Sequence, residues 1–296
     1  MWIYLNDRFV RREEAVISVF DHGFLYGDGV YETVRSYGPT VFLASEHLAR
    51  LYRSADLIGL RIPIARDAWA DILREAMHRN DVGTLDRDAY IRITVSRGPG
   101  DVGLDPALCP APTIVVITKP LSKPAPALYE HGISLMTAST RRNPAEALNP
   151  QIKSLNFLNN ILAKREALAA GTYDALMLNT RGELAECTIS NVFFVLDQQL
   201  CTPSVSCGIL DGLTRDLVLR LAREAGMPVE EGRFPISVLS RATEAFVTNT
   251  SSEILPVRLL DGLPIGTGRP GPLTQDLHRR FRAHVAQWLS QSAADQ

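Results

Sequence analysis

Gly182-Glu183-Leu184-Ala185-Glu186-Cys187-Thr188-Ile189-Ser190-Asn191-Val192-Phe193-Phe194-Val195 is the stretch whose reading decides the fold. Its end, 191–196, is β-branched and aromatic, as a strand buried in a sheet should be. A carboxylate at Glu186 just ahead of that strand needs a partner, because burying it unpaired is costly. A protonated pyridine nitrogen would serve, and so would an arginine elsewhere in the chain.

Working outward, Gly208-Ile209-Leu210-Asp211-Gly212-Leu213-Thr214-Arg215 is a glycine-bearing turn entering a helix over Gly212–Gly226. Backbone N–H groups at such a helix start, with the dipole behind them, attract anions, and Thr214 adds a hydroxyl. Thr248-Asn249-Thr250-Ser251-Ser252-Glu253 is a second hydroxyl-rich turn between strands at 244–249 and 254–260. It suits a phosphate or a simple hydroxyl-bonded turn equally well. A closing helix is expected over Leu273–Leu289.

Upstream, strands are expected near 132–138 and 174–179, around a helix from Leu155 to Ala170 that Gly171 stops. Lys153 lies directly ahead of that helix among apolar residues. Partial desolvation lowers an amine's pKa and makes it a nucleophile toward aldehydes; the bland alternative is a surface lysine. The 31 basic residues comprise 27 arginines and only Lys119, Lys123, Lys153 and Lys164, so amine chemistry has few other candidates.

The amino-terminal part mixes strands at 2–5, 16–19, 30–37, 89–96 and 113–118 with two helices. One is Ser45–Gly59, N-capped by Ser45 and striped by Leu48, Leu51, Ala55 and Ile58; the other is Asp67–Asn80. A loop over 97–112 holds three glycines and four prolines. Lys119-Pro120 through Pro126 reads as a stiff linker. Strands and helices do not alternate strictly, so the expected class is α+β. The expected domains are 1–120, a linker at 121–127, and 128–296. A net charge of −2 offers no field for nucleic acid, no run is long and apolar enough for a membrane, and no signal peptide is visible. The expected location is therefore cytoplasmic. Four scattered cysteines and six histidines lack metal-ligand spacing, so no metal is expected.

Together these segments resemble the class IV aminotransferases of pyridoxal-phosphate (PLP) fold type IV. The resemblance runs from Phe20-Asp21-His22-Gly23 through Tyr26-Gly27-Asp28-Gly29-Val30-Tyr31-Glu32 to Leu255-Pro256-Val257, with Glu186-x-x-x-Ser190-Asn191 the most specific element. It implies two domains with pyridoxal 5′-phosphate between them, joined to Lys153 as a Schiff base. It further implies that Glu186 keeps the pyridine nitrogen protonated. Arg50, the backbone at Leu213 and Thr214, and Thr250 would hold the phosphate. Tyr31, Tyr90, Arg92, Ser251 and Ser252 would meet the substrate. A homodimer or higher homo-oligomer is implied, with the loop at 99–106 reaching a partner subunit. Ala89-Tyr90-Ile91-Arg92 followed by Gly100-Asp101-Val102-Gly103 resembles the branched-chain enzymes; the expectation is a branched-chain L-amino acid donor with 2-oxoglutarate as acceptor, in ping-pong half-reactions. Arg97 is followed by Gly98-Pro99, so the R-x-H pair of the D-amino acid enzymes is missing. Phe157 stands where branched-chain enzymes usually carry a tyrosine, and Thr33 where glycine is common. D-Amino acid or (R)-amine aminotransferases, then aminodeoxychorismate lyase, are the alternatives.

Overall fold

In the computed structural model, which describes residues 1–294, chain contacts divide the protein into two units. The first comprises Met1–Ser122 together with Ile152–Asn156; the second comprises Lys123–Gln151 and the chain from Phe157 onward.

The first unit contains β1 (Trp2–Leu5), β2 (Arg8–Arg11), α1 (His22–Tyr26), β3 (Gly29–Tyr37), β4 (Thr40–Val41), α2 (Ala44–Leu57), α3 (Trp69–Arg79), β5 (Ala89–Ser96) and β6 (Thr113–Pro120). Its six strands form one sheet in the order β2-β1-β6-β5-β3-β4. Val30, Val34, Ile91, Ile93 and Val95 alternate along β3 and β5 and share a core with Leu48, Leu51 and Ala55 of α2 and with Trp69 of α3. Because successive side chains point to opposite faces, Tyr31, Thr33, Tyr90 and Arg92 line the other face.

Three expectations fail here. Residues 16–19 join no ladder, and Val16 and Val19 are exposed, so β-branching without a pairing partner makes no strand. Ser45 lies inside α2, whose N-cap is Leu43 in the left-handed region at φ 51° with no side-chain cap. Lys119 and Pro120 remain in β6, opposite Tyr90 and Ala89. Proline is tolerated there because it ends the strand.

The second unit contains α4 (Pro126–His131), β7 (Ile133–Thr137), α5 (Leu158–Ala169), β8 (Asp174–Leu178), β9 (Leu184–Cys187), β10 (Asn191–Leu196), β11 (Gln199–Pro203), α6 (Leu213–Glu224), β12 (Val229–Gly232), β13 (Glu244–Asn249), β14 (Glu253–Leu260), β15 (Leu263–Pro264) and α7 (Pro272–Ala294). These strands form one mixed sheet: β7 pairs parallel with both β8 and β14, while β10 and β13 pair antiparallel. Val192, Phe194, Val247 and Leu255 fill the core on one face. On the other, Phe193 stacks on Phe246, and α6 and α7 pack against β13. Gly171, at φ 66°, follows the end of α5 as its left-handed stop. That helix begins at Leu158, so Lys153 does not abut it. Among the described residues no helix is long and apolar enough to cross a membrane.

Candidate active site

The first unit carries Lys153 on an extended segment docked along β3. Tyr31 N–H donates to the Lys153 carbonyl at 2.9 Å and Leu155 N–H to the Gly29 carbonyl at 2.9 Å, with Val30 and Ser154 bridged antiparallel between them. From α2, the buried Ser54 hydroxyl accepts the Lys153 N–H at 3.2 Å. Asn156 Nδ2 donates to the Gly27 carbonyl at 2.9 Å. The lysine backbone is thus fixed on both sides by long-range bonds that local pattern does not announce.

Its side chain reaches the polar face of the sheet. Lys153 Nζ lies 4.6 Å from the Tyr31 ring centroid, and Arg92 Cζ lies 4.0 Å from the same centroid. Two cations against one aromatic ring concentrate positive charge there. Burial pushes the Tyr31 hydroxyl well above its ordinary range, and the Arg92 charge only partly offsets this, so the phenol stays a proton donor. Tyr90 sits two residues before Arg92 on the same face, its ring under Lys119 at 5.1 Å. Thr33 is the register partner of Arg92.

Arg50 pairs with a carboxylate of its own unit. Its Nε and Nη2 donate to Glu32 Oε1 and Oε2 at 2.6 and 3.0 Å, on the α2 side of the sheet. His47 Nδ1 adds a third bond to Glu32 Oε2 at 2.8 Å. Burial works to raise the Glu32 pKa, but Arg50 and His47 outweigh it and hold the carboxyl well below the usual carboxylate range. His47, fully enclosed, is pushed below its ordinary value mainly by burial. Neither Glu32 nor His47 was singled out from sequence, although a glutamate among the apolar residues of a strand is itself the signal of a buried ion pair. Arg97 is likewise spent: it grips Asp28 and donates to the Ile58 and Gly59 carbonyls that end α2.

The second unit builds its site around Glu186. Arg142 Nε donates to Oε1 at 2.8 Å, while Asn191 Nδ2 and the Leu210 N–H donate to Oε2 at 3.2 and 3.0 Å. The structure therefore supplies an arginine partner. Arg142, 44 residues earlier, carried no sequence signal among 27 arginines. Asn191 also donates to the Leu210 carbonyl at 3.0 Å and presses on Gly212, where an added Cβ would lie 1.9 Å from its Oδ1. Gly212 is the N-cap of α6 and offers no side-chain cap, so the N–H groups at Leu213 and Thr214 head an uncapped helix. By contrast Glu244 occupies the start of α7, accepting from the N–H groups of Leu273 and Thr274.

The turn carrying Thr250 follows β13, beside the start of β10. Asn249 bonds Ser190 Oγ at 2.9 Å, and its Oδ1 accepts from the N–H groups of Ser251 and Ser252 at 3.0 and 2.7 Å. The Ser252 carbonyl accepts from Tyr129 Oη at 3.0 Å, and its N–H is held by Asn249. Ser252 is therefore built into the turn's scaffolding.

A lysine strapped to a strand edge in one unit, and a donor-braced carboxylate beside an uncapped helix start in the other, are features of a PLP fold type IV aminotransferase. The chain belongs to that family: the model described as "Amino-transferase class IV" matches residues 29–260. It is an aminotransferase, and the cofactor of its class is pyridoxal 5′-phosphate. Among its relatives, a Methanocaldococcus jannaschii protein provisionally named a branched-chain-amino-acid aminotransferase is 44% identical over 288 residues, covering 97% of this chain and 98% of its own. D-Alanine aminotransferase of Bacillus licheniformis is 34% identical, with 99% of each chain covered. The crystal structure of the Escherichia coli branched-chain amino acid aminotransferase superposes with a TM-score of 0.91 at 30% identity, over 95% of this chain and 93% of that one.

Proposed function

We propose that this protein transfers the amino group of branched-chain L-amino acids to 2-oxoglutarate by ping-pong half-reactions, as a cytoplasmic homodimer. The reading is supported above all by the face shared by Tyr31, Tyr90 and Arg92, two phenols and a guanidinium suited to a substrate carboxylate. The 44% identity to the M. jannaschii relative supports the same substrate class. When bound, the cofactor supplies the electron sink that lets the substrate Cα lose its proton.

In this reading Lys153 holds the cofactor covalently and moves the proton at Cα. The Tyr31 ring beside Nζ keeps it in place. Glu186 pairs with the ring nitrogen; three of its roughly four acceptor positions are taken, which leaves one on Oε1. The N–H groups at Leu213 and Thr214 and the Thr250 hydroxyl bind the phosphate. Arg50 contributes a fixed positive charge rather than a fork, since Glu32 already engages that fork. Ser251 and Ser252 shape the turn beside the substrate, and the loop at 99–106 reaches the partner subunit. Thr33, beside Arg92, narrows the same face.

The test is donor choice. With 2-oxoglutarate present, L-leucine should yield glutamate far faster than D-alanine or (R)-1-phenylethylamine. Preference for D-alanine, the substrate in the name of the B. licheniformis relative, would overturn the substrate while keeping the chemistry. Pyruvate released from aminodeoxychorismate without an acceptor would mark a lyase.

A further inference from the structure

Arg142 lies in the connection between β7 and α5, in neither a helix nor a strand, yet it is buried and held on several sides. Its N–H donates to the Leu178 carbonyl at 2.9 Å. Nη1 lies 3.3 Å from Asn159 Oδ1 and 3.4 Å from Asn160 Oδ1. Both amides are themselves tied down: Asn159 donates to the Arg141 carbonyl and Asn160 to the Thr188 carbonyl, each at 2.7 Å. The guanidinium is thus presented to Glu186 in one fixed pose, with Nε on Oε1 at 2.8 Å.

The two carboxylate oxygens differ. Oε2 already accepts two bonds, from Asn191 and the Leu210 N–H, whereas Oε1 accepts one, from Arg142. A carboxylate oxygen has two lone-pair directions, so the remaining acceptor position is on Oε1, the atom the arginine holds. A second cationic donor arriving there shares one oxygen with a guanidinium and meets its repulsion in a poorly solvated place.

Resting on the assignment of Glu186 to the ring nitrogen, we propose that Arg142 is a positioning residue that shares Glu186 Oε1 with that nitrogen and weakens the carboxylate's hold on its proton. Asn191 and the Leu210 N–H keep Glu186 oriented whether or not the arginine is present. Removing the arginine charge therefore tightens the bond to the ring nitrogen instead of losing it.

The test compares two cofactors: pyridoxal phosphate and its analogue with C–H in place of the ring nitrogen. They share aldehyde and phosphate, so the ratio of their dissociation constants isolates the contact at the nitrogen. Wild type should prefer the natural cofactor, and Glu186→Gln should bring the ratio toward one. Arg142→Met should raise the ratio several-fold above wild type, with Arg142→Lys restoring it. A purely structural arginine would weaken both cofactors alike; an unchanged or lower ratio in Arg142→Met overturns the proposal. Should the methionine variant not fold, Arg142→Gln removes the same charge and carries the same prediction. A wild type indifferent to the nitrogen would instead overturn the Glu186 assignment, and this proposal with it.

Discussion

Glu32→Gln should be the most damaging small substitution in the first unit. Glu32 has no exposed surface and accepts from Arg50 at 2.6 and 3.0 Å and from His47 at 2.8 Å. Glutamine keeps the shape but removes the counter-charge, and it turns an NH2 group toward donors that need an acceptor. The buried Arg50 guanidinium then loses Glu32 as a counter-charge. Breaking a buried pair in this way costs about 3–5 kcal/mol, or roughly two to four powers of ten in the folding equilibrium. Urea unfolding followed through Trp69, fully enclosed in this unit's core, reports the loss as a lower midpoint at unchanged slope. Replacing both partners, Glu32→Gln with Arg50→Met, should cost less than the glutamine alone, because no lone charge stays buried. A single-variant loss below about 1 kcal/mol, or a double variant worse than the sum, would refute the reasoning.

Acid should destabilise the same network in two stages. Burial pushes the His47 pKa below its unfolded value, so the unfolded chain takes up the proton first and stability present above about pH 6.5 is lost as pH falls below it. Glu32, with its depressed pKa, adds its own loss only below about pH 4. Urea midpoints at pH 7.5 and 5.5 should differ, and His47→Gln should flatten that slope; an unaltered slope contradicts the assignment. Gly212→Ala suits its backbone, at φ −80°, but puts a Cβ 1.9 Å from Asn191 Oδ1. Displacing Asn191 should weaken cofactor binding by about 1–3 kcal/mol, roughly fivefold to 150-fold, as fluorescence titration would show. Ser54→Ala deprives the Lys153 N–H of its acceptor. Local opening of the lysine segment should ease by about 1 kcal/mol, visible as roughly fivefold faster amide exchange in the peptide spanning 152–156.

Sequence and structure agree where a local rule governs. Val192-Phe193-Phe194-Val195 reads as a strand because it is buried on both faces. Leu48, Leu51 and Ala55 recur at helical spacing because one face of α2 meets the sheet. The two diverge where the deciding partner is remote. Val16 and Val19 look like strand residues, yet no neighbouring strand pairs with them. The segment around Lys153 takes its shape from β3 and from Ser54, which lies 99 residues away. Arg142 reaches Glu186 across 44 residues, and no spacing rule reports such a pair. The acid, the lysine and the glycine turn proposed for the site stand out in the sequence; the side chains that brace them in the structure do not.

Lys153 is the proposed point of covalent attachment for the cofactor. Incubating the protein with pyridoxal phosphate, reducing it with borohydride and mapping the peptides by mass tests this directly. One phosphopyridoxyl group should appear, on the peptide containing Lys153, and bleaching by L-leucine before reduction should prevent it. Labelling confined to Lys119, Lys123 or Lys164, or no labelling at all, would contradict the account.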